Sequence, residues 1–195
     1  MEIRTGLSYG DALLVPQRSA VDSRSDIDLT AQLTPSLSLD IPIVSAAMDT
    51  VTESETAAAL ADLGGLGVIH RFLSIEEQAA AVHEVAEQGG PVAAAVGIDE
   101  DYLDRTEAIL NAGGDAVVLD VAHGHMERAL DAVGEIRAEY DPELIAGNVV
   151  TPDAVEDLYD SGADCVKVGV GPGSHCTTRE VAGAGYPQLS AVDEC

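Results

Sequence analysis

From Ile41 onward the chain alternates short apolar runs with helical segments, and this alternation constrains the fold more than any other feature. The runs are Ile41–Ala47, Leu66–His70, Val92–Gly97, Ala116–Ala122, Leu144–Val149 and Cys165–Gly171. They are nearly continuous in apolar residues rather than alternating, as expected of parallel strands covered on both faces. Their spacing of roughly 25 residues leaves room for one helix between successive strands, the signature of a parallel α/β fold.

The intervening segments carry helix signals. Ser74 with Glu77 forms a capping box that opens a helix running to about Gln88. Met126, Ala129, Leu130, Val133, Ile136 and Tyr140 make one apolar stripe at helical spacing. Thr151, Pro152 and Asp153 read as N-cap, first-turn proline and first-turn acid of a further helix carrying Val155, Leu158 and Tyr159. Asn111–Gly114 and Ser161–Gly162 mark helix ends. Residues 1–40 stand outside the alternation and are expected to form a lead-in with short strands covering the bottom of the fold. The remainder, 41–195, forms the main unit.

Polar or small residues cluster where each run ends: Ser45, Met48 and Asp49; His70; Gly97; Asp120 and His123; Asn148; then a glycine-rich loop. A (β/α)8 TIM barrel builds its active site from the C-terminal strand ends and the loops that follow them. Delivery of candidates to one rim favours this barrel over an open doubly wound sheet. The count gives about six of the eight β/α units.

Composition narrows the chemistry. Thirty-five Asp and Glu oppose nine basic residues, for a formal charge of −26, and Lys167 is the single lysine. Such a surface repels phosphate backbones and anionic membranes, which excludes general nucleic-acid binding. The acids are dispersed over helix faces, not gathered in a tail, a pattern suited to a salt-loaded cytoplasm where screening is strong. No apolar run reaches the ~18 residues of a membrane span. The N-terminal MEIRTGLSYGD lacks signal-peptide regions, so a cytoplasmic location is expected. Cys165, Cys176 and Cys195 are too few and too irregularly spaced for a disulfide framework or zinc ribbon.

The loop GVGPGSHCTTR (169–179) follows the last apolar run. Its alternating glycines let amides and carbonyls turn inward around an ion or anion. Cys176 at its end, among Ser174, Thr177, Thr178 and Arg179, is placed to be a stabilised thiolate; the alternative is a connector that happens to carry a cysteine. Asp120 can bind a sugar hydroxyl or cap the next helix. His123 and His125 have no third partner at ligand spacing, which argues against a metal site. Asn148 can read an amide or hydroxyl group or simply form a turn, and Met48 can pack on a flat ring or fill core space.

Taken in order, SAAMDTVTE (45–53), GGLGVIHR (64–71), DVAHGH (120–125), AGNVVT (146–151), VKVGVGPGSHCTTR (166–179) and GYPQLSAV (185–192) resemble the inosine monophosphate dehydrogenase and guanosine monophosphate reductase family. The resemblance runs from about Gly6 to Cys195 and implies a (β/α)8 barrel. It further implies that Cys176 attacks C2 of a purine nucleotide, with Thr178 beside the reacting water or ammonia. Met48 and Asn148 would contact the base or neighbouring groups, Ser174 the nucleotide phosphate, and Asp120 the cofactor ribose. Carbonyls of Gly171, Gly173 and Cys176 would hold a monovalent cation, K+.

The implied partners are IMP or GMP as substrate and NAD or NADP as cofactor, with a homotetramer for a full-length chain. The run HRFLSIEEQ into AAVHEVAEQGG leaves no room for the CBS modules often inserted in the dehydrogenase. That continuity, SRSD (23–26), GNVVT and GYPQLSAV are reductase-like, whereas SAAMDTVTE and AHGH are dehydrogenase-like; the dehydrogenase is slightly favoured. His175 departs from the small or aliphatic residue usual in the family's loop. Two readings of another kind accompany these: the N-terminal part of a longer oxidoreductase, or an inactive remnant acting as a nucleotide-binding module.

Overall fold

The computed structural model describes residues 5–174 and 176–195. The departure at His175 lies outside them. The lead-in carries two short 3₁₀ turns and an antiparallel pair, β1 (Ala31–Gln32) and β2 (Ser38–Leu39). After α1 (Ser54–Asp62), the main unit alternates β3 (Gly67–Ile69), α2 (Ile75–Ala86), β4 (Val92–Val96), α3 (Tyr102–Asn111), β5 (Ala116–Asp120), α4 (Glu127–Tyr140), β6 (Leu144–Val149), α5 (Pro152–Asp160) and β7 (Cys165–Val168). Two helices follow, α6 (Thr178–Val181) and α7 (Gln188–Glu194). Strands β3 to β7 form one five-stranded sheet in sequential order, every neighbour parallel. Sequential parallel order with a helix in each crossover is the arrangement of part of a (β/α) barrel.

Among the described residues this sheet has five strands, and the first of the six expected runs is not a regular member of it. Ile41–Ala47 runs beside β3 but forms only one parallel bridge, Val44 to Leu66. Pro42 has no N–H to give a ladder. The Ile43 amide bonds back to the Ile41 carbonyl at 2.8 Å. Further along, the Ser45 hydroxyl accepts the Val68 N–H at 3.1 Å, a bond that a backbone carbonyl makes in a regular ladder. The other runs over-reach at their ends: Gly97, Val121–Ala122 and Gly169–Gly171 are loop, because apolar composition continues past the last ladder bond.

Both faces of the sheet are covered, which explains the unbroken apolar runs. Outward residues Val92, Ala94, Val96, Val117 and Leu119 pack under the helices with Val82, Val85, Ile109, Val133 and Ile136. Inward residues Val68, Ala93, Ala95, Ala116, Val118 and Ile145 form a second cluster with Leu39, against which Leu33 and Leu37 of the lead-in pack. The capping box is formed: Glu77 N–H donates to Ser74 Oγ at 3.2 Å and Ser74 N–H to Glu77 Oε2 at 3.0 Å. Thr151 is the N-cap of α5 with Pro152 in its first turn, although its hydroxyl makes no capping bond. Met126 stands as the N-cap of α4, 39% exposed, so the core stripe is narrower than the sequence pattern.

One polar network crosses the outer layer. Gln78 is fully buried, and its amide donates to the carbonyls of His70 at 3.0 Å and Ala95 at 2.9 Å. Its Oε1 accepts from Arg105 Nη1 at 3.0 Å, and Arg105 also bonds the Leu73 carbonyl and pairs with Asp101 at 2.8 Å. This network ties the C-terminal ends of β3 and β4 to α2 and α3, fixing the rim where the candidate residues lie.

Candidate active site

Met48, Asp120, Asn148, Gly171, Cys176 and Thr178 line a single cavity of about 390 Å³ at the C-terminal ends of β5, β6 and β7. Each arrives by the same device, a strand that ends under the rim and hands over to a loop. Asp120 is the last residue of β5, Asn148 lies one residue from the end of β6, and Cys176 sits in the loop between β7 and α6. Met48 comes from the turn after the bridge segment and is 56% exposed.

The thiol has the environment of a nucleophile. Cys176 Sγ lies 3.3 Å from Thr178 Oγ1. That hydroxyl and the Thr178 amide hold the Cys176 thiol below its ordinary value, against an opposing effect of burial, with the charge of Arg179 the least of the contributions. Cys165 behaves oppositely: burial, then the neighbouring Asp164, pushes its thiol up, as befits a structural residue. Cys195, exposed, is also pushed up, by partial burial and Glu194.

The polar floor is a three-residue cluster. Asp120 Oδ1 accepts from Lys167 Nζ at 2.8 Å and from Asn148 Nδ2 at 3.2 Å. Asn148 Nδ2 also donates to the Val121 carbonyl at 3.1 Å. Its amide nitrogen is thereby committed, while its Oδ1 is buried with no partner among the described residues. An orphaned buried acceptor is costly unless a ligand donor meets it.

Sequence reasoning missed Lys167 and Gln188, both of which line this cavity. A lone lysine inside the apolar strand CVKV of so acidic a chain was the available signal for the first. Gln188 had none: it reaches the site from α7, where its Nε2 donates to the Val168 carbonyl at 2.7 Å. Gly169 makes room for it, since a Cβ there would stand 2.6 Å from Gln188 Oε1.

Several other candidates lie outside this cavity. Ser174 is exposed in the loop and, like Gly173, is not among the cavity residues. The Gly173 carbonyl accepts the Cys176 N–H at 3.2 Å and Arg179 Nη2 at 3.3 Å, so both its lone pairs are engaged. The Gly173 carbonyl thus holds two donors in this structure, and a K+ site on the carbonyls of Gly171, Gly173 and Cys176 stands as a proposal. Among the described residues no group of three His, Cys, Asp or Glu is placed to hold a metal. His125 pairs with Asp157 of α5 at 2.7 Å, and His123 is exposed. His70 is buried, its Nδ1 accepting the Phe72 N–H at 3.2 Å. Ser45 is spent on Val68, and Asp49 is exposed outside the cavity.

A parallel β/α fold with a thiol, a carboxylate and an orphaned amide oxygen converging on one rim cavity is the arrangement of part of a (β/α) barrel with a candidate site at the C-terminal ends of its strands. The family model for the IMP dehydrogenase / GMP reductase domain matches residues 6–195, and the chain belongs to that family. It is 32% identical to the inosine-5'-monophosphate dehydrogenase of Nitrosopumilus maritimus, in an alignment covering 100% of this chain and 67% of the relative. Identity to the enzyme of the same name from Borreliella burgdorferi is 38%, with 97% and 59% covered. For that of Cryptosporidium parvum it is 37%, with 99% and 58% covered. The chain thus spans about three fifths of the last two relatives. Among the described residues no helix is long and apolar enough to cross a membrane.

Proposed function

We propose that the rim cavity binds a purine nucleotide and that Cys176 adds to C2 of its base, in the oxidation of IMP to XMP. One observation carries this reading: the lowered Cys176 thiol shares its cavity with the orphaned Asn148 oxygen, so a ring N–H bonded to Asn148 is held beside a nucleophile. The relatives' shared name supports the same substrate.

The thiolate forms an S–C2 bond, and C2 gives up its hydrogen as hydride. Water then displaces sulfur, freeing XMP and the thiol. Thr178, hydrogen-bonded to Cys176, stabilises the thiolate and stands beside the incoming water. Met48 packs against the base, and Ser174 reaches the phosphate from the loop. A nicotinamide dinucleotide, when bound, supplies the acceptor for the hydride.

The rim has space for that second ligand, because a cavity of about 250 Å³ shares Asp120, Ala122 and Asn148 with the first. Asp120 is the group to accept a ribose hydroxyl, its position set by Lys167 and Asn148. Residues 41–195 act as one catalytic unit on this reading, and a full-length chain assembles as a tetramer.

The reverse-type chemistry, reduction of GMP to IMP with loss of ammonia, is the second reading. It is favoured by the uninterrupted passage from β3 through α2 to β4, with no inserted module. Turnover separates the two. Reduced dinucleotide appearing with IMP and NAD or NADP supports the oxidation. Consumption of NADPH with GMP supports the reductase, and neither reaction leaves the nucleotide-binding module.

A further inference from the structure

The loop that carries Cys176 leaves the sheet at β7, the last strand of the five. Toward β6 its exit is held by the ladder, the Gly169 N–H donating to the Val149 carbonyl at 2.8 Å. On the other edge no strand among the described residues pairs with β7. The donors there come from residues 186–188 instead. Gln188 Nε2 donates to the Val168 carbonyl at 2.7 Å, and the Tyr186 N–H donates to the Val170 carbonyl at 3.0 Å. Two alternate carbonyls at the root of the loop are thus met from one side, as a neighbouring strand would meet them.

The same segment packs onto the loop further along. A Cβ at Gly171, where φ is +66°, would stand 2.9 Å from Arg179 Cγ, and one at Gly185 would stand 2.8 Å from the same atom. The Arg179 stem therefore lies between the two glycines, and its Nη2 donates to the Gly173 carbonyl. Helix α7 has only seven residues, too few to hold a helix in place by itself. The start of the lead-in holds it: the Leu7 N–H donates to Ser190 Oγ at 2.9 Å, and the Ser190 N–H to the Leu7 carbonyl at 3.1 Å. Ser8 then lines a small cavity with Gly171, Pro172 and Arg179, so this clasp lies against the cysteine loop. Gln188 Oε1 is buried with no partner among the described residues, a cost that a side chain kept for stability alone does not explain.

We infer that Gln188 is a positioning residue for the nucleophile: through the Val168 carbonyl, and with Ser190 clasped to Leu7, it fixes the root of the loop that sets Cys176 against Thr178. The contact between Cys176 Sγ and Thr178 Oγ1 spans 3.3 Å within that loop, and a loosened root lets the two separate. The thiol then loses the hydrogen bond that favours its charged form. The inference rests on the function proposed above only in taking Cys176 as the nucleophile.

Iodoacetamide rates at Cys176 across pH, resolved by mass spectrometry on the full chain, test the assignment without turnover. Gln188→Met keeps the length of the side chain but cannot donate, and Ser190→Ala removes the acceptor for the Leu7 N–H. Both are expected to move the Cys176 inflection upward, the Gln188→Met rate below the inflection falling at least about threefold, with Cys165 unchanged in the same digests. A lower urea midpoint with the Cys176 profile unmoved overturns the inference, because it assigns Gln188 to stability alone. So does an equal gain in reactivity at Cys165, which reports general opening. Should Gln188→Met not fold, Ser190→Ala decides: an unmoved inflection there overturns the inference. Protection of unsubstituted Cys176 by IMP is read in the same assay, and its absence removes the nucleotide reading while leaving the positioning role to be judged on the variants.

Discussion

Gln78→Leu tests whether the rim is held by the buried network of α2 and α3. The substitution keeps the side-chain volume near its original value and removes every polar contact. The carbonyls of His70 and Ala95 lose donors at 3.0 and 2.9 Å, and Arg105 Nη1 loses an acceptor at 3.0 Å while keeping the Leu73 carbonyl. Orphaning two buried neutral acceptors and one charge-assisted bond costs about 4 kcal/mol in total. For a chain of this size that corresponds to a fall in Tm of roughly 8–16 °C. Urea unfolding followed by circular dichroism measures it, and an unchanged m-value assigns the loss to the folded state. Arg105→Met in a double-mutant cycle should couple to Gln78→Leu by at least about 1 kcal/mol. A single-mutant loss below about 1 kcal/mol refutes the reasoning, because water must then replace the amide in a site the structure shows closed.

Two further outcomes follow from the charges. Alkylation by iodoacetamide reports thiolate, the reactive form, so a lowered thiol gains reactivity at a lower pH than a raised one. Mass-resolved rates against pH should therefore inflect for Cys176 below the ordinary thiol value and for Cys165 above it, and Thr178→Val should move the Cys176 inflection upward. The charge of −26 makes the folded state repel itself, so the urea midpoint should rise as KCl goes from about 0.1 M to about 1 M and the Debye length falls from about 10 to 3 Å. A flat midpoint removes self-repulsion as a stability term.

The main unit was legible in the sequence because its strands are buried on both faces. Val92–Val96 has no polar position to obscure it, Leu144–Val149 has only Asn148 near its end, and Ser74 and Glu77 announce α2 through bonds local to one turn. The run Ile41–Ala47 misled because composition records burial, whereas a ladder also needs backbone donors in register, and Pro42 and Ser45 divert them. The rim position of Asp120, Asn148 and Cys176 followed from strand ends. Gln78, Arg105, Lys167 and Gln188 were not legible as partners, since their roles depend on distances between residues far apart in the chain. A loop sequence likewise displays carbonyls but not what bonds them, and here Arg179 reaches back to Gly173.

The central claim is that Cys176 is the nucleophile toward a purine nucleotide. Incubation of the protein with IMP and dinucleotide, acid quenching, digestion and peptide mass spectrometry tests it at the atom concerned. The account predicts a nucleotide-bearing peptide containing Cys176, none at Cys165 or Cys195, and protection of Cys176 from iodoacetamide by IMP alone. Alkylation of Cys176 at the same rate with saturating IMP, and no nucleotide-bearing peptide after quenching, contradicts it.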